Sequence, residues 1–316
     1  MRSHIISRLK SIALWLTGMT AVVEFLVHGK KPKPGLTILC YHRTAEGIPV
    51  HTSYDSFNVS PRTFKKQMLA LRSIRGVKVV SAKTVAGLLK DSTVSPENYV
   101  LITFDDGYQN VLDAAKVLHQ ENYSAVIFVV TDYIGKPVFD LNTYDVWCQG
   151  LPNSEPNWYK PLSLADCQEL LRLGIEIQLH GHSHRPLGSL QDDDLKEEIT
   201  NSKATIERLG AGDAIALAYP YGSSRAGHFN EHVEAYLKTK GIQFAVSTDA
   251  GTNPLRDLKN HAYRLLRIPI HEHDRGLLFQ AKAAGYCGIL PLVKAAAYRT
   301  GVWTRVPPRA PTVSEP

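Results

Sequence analysis

Leu101-Ile102-Thr103-Phe104-Asp105-Asp106-Gly107 is the stretch on which the reading of this chain turns. From Tyr99 to Ile102, and again at Phe104, it is apolar, the pattern of a strand buried on both faces. The run stops on two adjacent carboxylates and a glycine. Neighbouring like charges resist joint ionisation in a low dielectric unless a cation or a proton sits with them. A divalent metal meets that need, with one aspartate as ligand and the other left as a base. The competing reading is a turn, because Asp-Asp-Gly is a common turn composition and either aspartate can cap a helix beginning near Tyr108.

A second cluster, His180-Gly181-His182-Ser183-His184, follows another apolar run from Ile175 to Leu179. A lone histidine is more often a core residue, but packing does not explain three at alternating positions straight after a strand. Imidazole is the commonest metal ligand near neutral pH, and His180 and His184 are close enough to share one ion. Two imidazoles and one carboxylate leave coordination positions open, which suits a catalytic ion better than a closed structural one.

Outward from these two clusters the chain alternates strand and helix. Leu36 to Tyr41 reads as a strand ending at His42, and Ser60-Pro61 starts a helix whose apolar positions are Phe64, Met68 and Leu71. Val77 to Val80 and Val85 to Leu89 make a short strand and helix before the Asp-Asp strand. A helix over Val111 to Leu118, the strand Ala125 to Val130 and a long loop from Asp132 to Pro161 follow. After the histidine strand come a helix over Leu195 to Leu209 and the strand Ala214 to Ala218, which ends at Tyr219-Pro220-Tyr221-Gly222. A helix over His232 to Lys238 and the strands Phe244 to Ser247 and Leu265 to Ile270 complete the series, the last ending at His271-Glu272-His273-Asp274. Repeated strand–helix units of this number predict an α/β fold, with parallel strands closing into a distorted barrel of seven or eight β/α units. The polar clusters fall at the strand ends, where such barrels carry their chemistry.

A length of 316 residues with 44% hydrophobic and 21% charged side chains is ordinary globular composition. Cys40, Cys148, Cys167 and Cys287 form no Cys-x-x-Cys pair, so neither a zinc knuckle nor a disulfide framework is indicated. Charge is uneven. Residues 1–35 carry Arg2, Arg8, Lys10, Lys30, Lys31 and Lys33 against Glu24, a net +5. Residues 282–316 carry Lys282, Lys294, Arg299, Arg305 and Arg309 against Glu315, a net +4, which leaves −3 of the chain's +6 for the body. A mildly acidic body argues against a nucleic-acid groove, and basic ends suit an anionic surface. Ser11 to Val27 is mostly apolar between basic flanks, short for a membrane span of ~20 residues and interrupted by Glu24. A signal anchor, an interfacial helix with Trp15 and Phe25 in lipid, or a helix packed on the domain all fit. Residues 1–35 are expected to associate with a membrane, in a bacterium the inner one, ahead of a catalytic barrel at 36–285 and a basic extension at 286–316.

These motifs resemble those of the NodB-homology polysaccharide deacetylases, carbohydrate esterase family four. Thr103 to Gly107 is similar to the family's Thr-Phe-Asp-Asp-Gly motif, and His180 to His184 to its paired-histidine motif, with Arg185-Pro186-Leu187 behind it. Ala218 to Gly222 is similar to the third motif of the branch that opens with a Tyr-His strand, here Tyr41-His42. The resemblance spans about Leu36 to Ile270. It implies a distorted (β/α) barrel, removal of N-acetyl groups from amino sugars, and a metal held by Asp106, His180 and His184 with Asp105 as base. Zinc suits that set best, and cobalt, nickel or iron also fit. Tyr221 would offer a backbone N–H to the oxyanion, and His271 or His273 would be the general acid. His42, His182 and Pro220 are expected around the site, and Trp147 and Trp158 in the long loop are candidates to stack on sugar rings or to pack the loop. The chain departs from the family pattern twice. Gly181 stands where a serine or threonine often follows the first histidine, and no arginine precedes Tyr219-Pro220, so Arg267 is the candidate to steady Asp105 from another strand.

The expected substrate is an N-acetylhexosamine glycan, free or on a lipid carrier. A deformylase or other deacylase of a lipid-linked amino sugar keeps the same site. A glycan-binding barrel of weakened activity is the non-enzymatic alternative.

Overall fold

The computed structural model describes residues 16–47, 57–90, 97–137, 139 and 158–299. Trp147 and most of the long loop that holds it lie outside the described residues. Eight strands occur in chain order: β1 (Gly35–Tyr41), β2 (Val77–Val79), β3 (Asn98–Phe104), β4 (Ala125–Val129), β5 (Glu176–Leu179), β6 (Ala216–Ala218), β7 (Phe244–Ala250) and β8 (Leu265–Pro269). Every strand pairing is parallel. One edge of β3 pairs with β1 along its length, from Asn98 opposite Gly35 to Phe104 opposite Tyr41. The other edge is shared. β2 takes the lower half, with Val79 opposite Val100, and β4 the upper half, with Ala125 opposite Ile102. The closed ring therefore has seven strands, β1-β3-β4-β5-β6-β7-β8, and β2 stands outside it.

Helices α1 (16–27), α2 (Pro61–Arg72), α3 (Ala82–Lys90), α4 (Val111–Gln120), α5 (Leu164–Arg172), α6 (Asp192–Arg208), α7 (Glu231–Thr239), α8 (Gly276–Ala283) and α9 (Leu290–Arg299) accompany the strands. Their starts follow from local chemistry. The Ser60 hydroxyl accepts the Thr63 N–H ahead of Pro61, and Ser163 with Asp166 forms a capping box. α6 begins at Asp192, three residues before its first apolar contact at Leu195. Asp192, Asp193 and Asp194 fill its first turn, where the helix dipole favours negative charge.

Period-two alternation sorts each strand into two faces. Leu39, Tyr41, Val100, Ile102, Ile127, Ile177, Leu179 and Ile268 share one apolar cluster with the helix faces Phe64, Met68, Ala114 and Ile199, which makes theirs the outer face of the barrel. Leu36, Ile38, Leu101, Phe128, Ala216, Ala218, Phe244, Val246 and Leu265 fill the inside, floored by Val85 and Leu89 of α3. Continuing that inward alternation towards the carboxyl ends gives Cys40 and His42, Thr103 and Asp105, Gln178 and His180, Pro220, and Arg267 and His271. The interior thus turns from apolar to ionisable at one rim, and the site sits there.

Candidate active site

Asp105 ends β3 on its inward side and is buried. Strict alternation would turn Asp106 outward. Its φ of 73° breaks the strand, and both carboxylates reach the same rim. Neither caps a helix, because α4 starts only at Val111 after Asn110. The chain does turn at Asp106-Gly107, with the Gly107 N–H donating to the Asp105 carbonyl at 3.0 Å, but the helix-capping role is set aside.

The two carboxylates have separate partners. Arg267 Nη1 donates to Asp105 Oδ1 and Nη2 to Oδ2, each at 2.7 Å, while its Nε donates to the Ser247 carbonyl at 2.7 Å. Burial acts to raise the Asp105 pKa. The Arg267 charge, with His180 and His42, outweighs it and holds this carboxyl below the usual range. Asp106 Oδ1 lies 3.3 Å from His180 Nε2 and 3.5 Å from His184 Nε2. Its pKa, too, is driven well down against burial, by the hydrogen bond from His180 and the charges of His42 and His184.

His180 Nδ1–H donates to the Ala218 carbonyl at 2.8 Å, which leaves Nε2 directed at Asp106. Burial lowers the His180 pKa, but the hydrogen bond to Asp106 and the two aspartate charges raise it overall. At His184 burial, and then the neighbouring His180, pushes the pKa down to about 4, so this imidazole is neutral at pH 7. Ligand atoms of Asp106, His180 and His184 lie within 4.8 Å of one another. One acid and two imidazoles with Nε2 turned inward form a donor set that fits zinc or a similar divalent ion. Cys40, His42 and Asp105 also converge, with the thiol 3.7 Å from Asp105 Oδ2 and His42 Nε2 at 4.0 Å. There the guanidinium of Arg267 already neutralises the carboxylate, so the first set is the better cation site.

His182 is half-buried, its Nδ1 3.0 Å from Thr131 Oγ1 and outside the convergent set. Tyr221 has a φ of 60°, its ring centroid lies 4.8 Å from that of His184, and its carbonyl accepts from Thr248 Oγ1 at 2.7 Å. His271 is buried at the end of β8 and His273 is exposed, its ring stacked 5.3 Å outside that of His271. The Phe57 ring stands between His42 and His271, at 4.8 and 5.5 Å. The Trp158 carbonyl accepts from Asn110 Nδ2, and its side chain packs on Tyr108, Tyr133, Phe139 and Tyr159.

Two supports were not anticipated from sequence. Glu198 of α6, itself buried, accepts the backbone N–H groups of His182 and Ser183 at 2.8 and 3.0 Å, the Ser183 hydroxyl, and Arg185 Nε at 3.3 Å. It also accounts for Gly181. At φ 76° a Cβ there would stand 3.2 Å from Glu198 Oε2, so the carboxylate occupies the room a serine or threonine would need. Asp274 is the other. It accepts from Lys282 Nζ at 2.7 Å and from the His271 N–H at 2.8 Å, which fixes the turn that follows β8.

A closed parallel barrel with acids and imidazoles gathered at the carboxyl rim is the layout of an enzyme active site. Residues 93–245 match the polysaccharide deacetylase family model. YxkH of Bacillus subtilis (strain 168), named as a polysaccharide deacetylase, is 26% identical over 241 residues, covering 76% of this chain and 74% of its own. Two solved structures share the fold. IcaB from Ammonifex degensii has a TM-score of 0.62 at 21% identity, over 80% of this chain and 98% of its own. The Streptococcus pyogenes deacetylase PplD, in complex with acetate, has a TM-score of 0.61 at 22% identity, over 77% and 95%. Residues 93–245 thus carry a polysaccharide deacetylase domain, and the proteins of that family are hydrolases that act on amide bonds.

Proposed function

We propose that this protein is a metal-dependent hydrolase that removes N-acetyl groups from amino sugars of a glycan. The observation that carries the reading is the convergence of Asp106, His180 and His184 on one point beside a second carboxylate, Asp105, whose charge is held by Arg267. In this reading Asp106, His180 and His184 bind a divalent ion, zinc first. When bound, such an ion acidifies water and polarises an acyl carbonyl. Asp105 accepts the proton of the attacking water at a carboxylate oxygen. The Tyr221 N–H donates to the oxygen that gains charge as the carbonyl carbon becomes tetrahedral, a type of contact worth about a hundredfold or more in rate. His271 gives a proton to the amine nitrogen, which is too basic to leave as an anion. The C–N bond breaks, and acetate and the free amino sugar are the products. His271 is preferred to His273 because it is buried at the rim and held by the Asp274 turn, while His273 faces solvent.

Acetate release from an N-acetylglucosamine oligomer tests the reading. Release by the zinc-loaded protein, its loss after chelation and its return on refilling are expected. No acetate from the metal-loaded protein refutes it.

A further inference from the structure

Helix α1 has two apolar faces and the barrel uses one. Ala21 and Phe25 are buried, Gly18 lies against Leu278 of α8, and the Phe25 ring stands 5.6 Å from that of Tyr286. On the opposite side Leu16, Met19, Val23, Leu26 and Val27 are 44–76% exposed, a stripe at helical spacing. Leu277 and Leu292, on the two helices that flank the seat of α1, are 41% and 70% exposed. Among the described residues only Leu69 and Leu164 are large exposed apolar side chains elsewhere. An apolar surface gathered in one place and left to water marks an interaction site.

Its rim is basic. Lys30 and Lys31 are exposed just beyond the helix, and the single acid of α1, Glu24, is paired with Lys33 at 3.3 Å. Residues 1–35 carry a net +5 and residues 282–316 a net +4, and the described parts of these two segments touch here, Gly288 and Ile289 lying against Thr17 and Thr20. We propose that the outer face of α1, with Leu277 and Leu292 beside it, is a docking surface for an anionic lipid bilayer. Aliphatic side chains ringed by lysine match the boundary between acyl chains and anionic headgroups. The cores of protein–protein interfaces, by contrast, favour aromatic residues and are poor in lysine. The binding is peripheral. One side of α1 is committed to protein, which leaves its outer face for lipid. No helix among the described residues is long and apolar enough to cross a membrane.

Co-sedimentation of the full chain with phosphatidylcholine–phosphatidylglycerol vesicles, beside phosphatidylcholine alone, is the test, with the oligomeric state followed by sedimentation velocity. Binding to the anionic vesicles is expected, weakened by salt and by Lys30→Glu with Lys31→Glu. Met19→Glu with Val23→Glu, both on the solvent side, should cost at least about tenfold in affinity while leaving circular dichroism and Tm unchanged. Three results would each overturn the proposal: no binding to anionic vesicles, equal binding by Met19→Glu/Val23→Glu, or a vesicle-free dimer that this double variant dissociates. None of the readouts depends on deacetylation.

Discussion

Arg267 grips both oxygens of Asp105 at 2.7 Å across the barrel interior, from β8 to β3. The pair is buried on both sides, so its worth lies in what happens when one partner is removed. Arg267→Gln leaves a buried carboxylate without its counter-charge, a change that costs about 3–5 kcal/mol in comparable pairs. Lower stability by denaturant titration is expected, with a fall in kcat of at least about a hundredfold, because a base that is neither oriented nor ionised takes no proton. Arg267→Lys restores charge without the two-pronged grip and should recover stability more fully than kcat. Equal recovery of both would show that orientation plays no part.

Asp105 and His184 separate the base from the cation site. Asp105→Asn keeps the shape of the rim and should retain metal at the wild-type stoichiometry while kcat falls by about a hundredfold or more. His184→Ala removes one of three donor atoms and should lose the metal itself. Elemental analysis of both variants, beside acetate release, checks the division. An Asp105→Asn protein that still turns over would remove Asp105 from the role of base.

Most of this site was readable before any coordinates because its members close buried apolar runs. A strand that ends on Asp105 or His180 announces its carboxyl end in the sequence, and parallel barrels bring those ends together. Arg267 became a candidate by a different route, because the family pattern calls for an arginine that is missing before Tyr219-Pro220, and it sits two residues inside the end of β8. The left-handed Asp106 was not legible, since alternation along a strand argues that consecutive aspartates face opposite ways. Glu198 was invisible for a different reason. It occupies one more polar position on an amphipathic helix, and only tertiary packing of α6 turns it towards the histidine loop, 15 residues upstream at Ser183. The ring of seven rather than eight strands depends on β2 and β4 sharing one edge of β3, and no periodicity encodes that.

Glu198 is expected to act through the loop it holds. In Glu198→Ala the N–H groups of His182 and Ser183 lose their acceptor, at about 1–3 kcal/mol for each group left buried and unpaired. Because His184 follows on the same loop, zinc affinity should fall by about 10–100-fold, the usual cost of losing a support behind metal ligands. Competition with a chromophoric chelator measures this directly. Unchanged zinc affinity in a folded Glu198→Ala protein would confine Glu198 to stability.

His228 sets an acid limit on the fold. Its Nδ1 accepts the Ser223 N–H at 3.0 Å, its ring lies 5.5 Å from that of Tyr221, and burial pushes its pKa down to about 4. An unfolded histidine titrates near 6.5, so between these values the unfolded chain binds the extra proton and the folded one does not. The associated stability is full above about pH 6.5 and drains away as pH falls towards 4. It amounts to a few kcal/mol at about 1.4 kcal/mol for each unit of difference. Asparagine at this position keeps a short acceptor for the Ser223 N–H but carries no titrating group. His228→Asn should therefore flatten the dependence of unfolding free energy on pH across that window, read from urea titrations at several pH values. A slope that matches the wild type would assign the acid sensitivity to other groups.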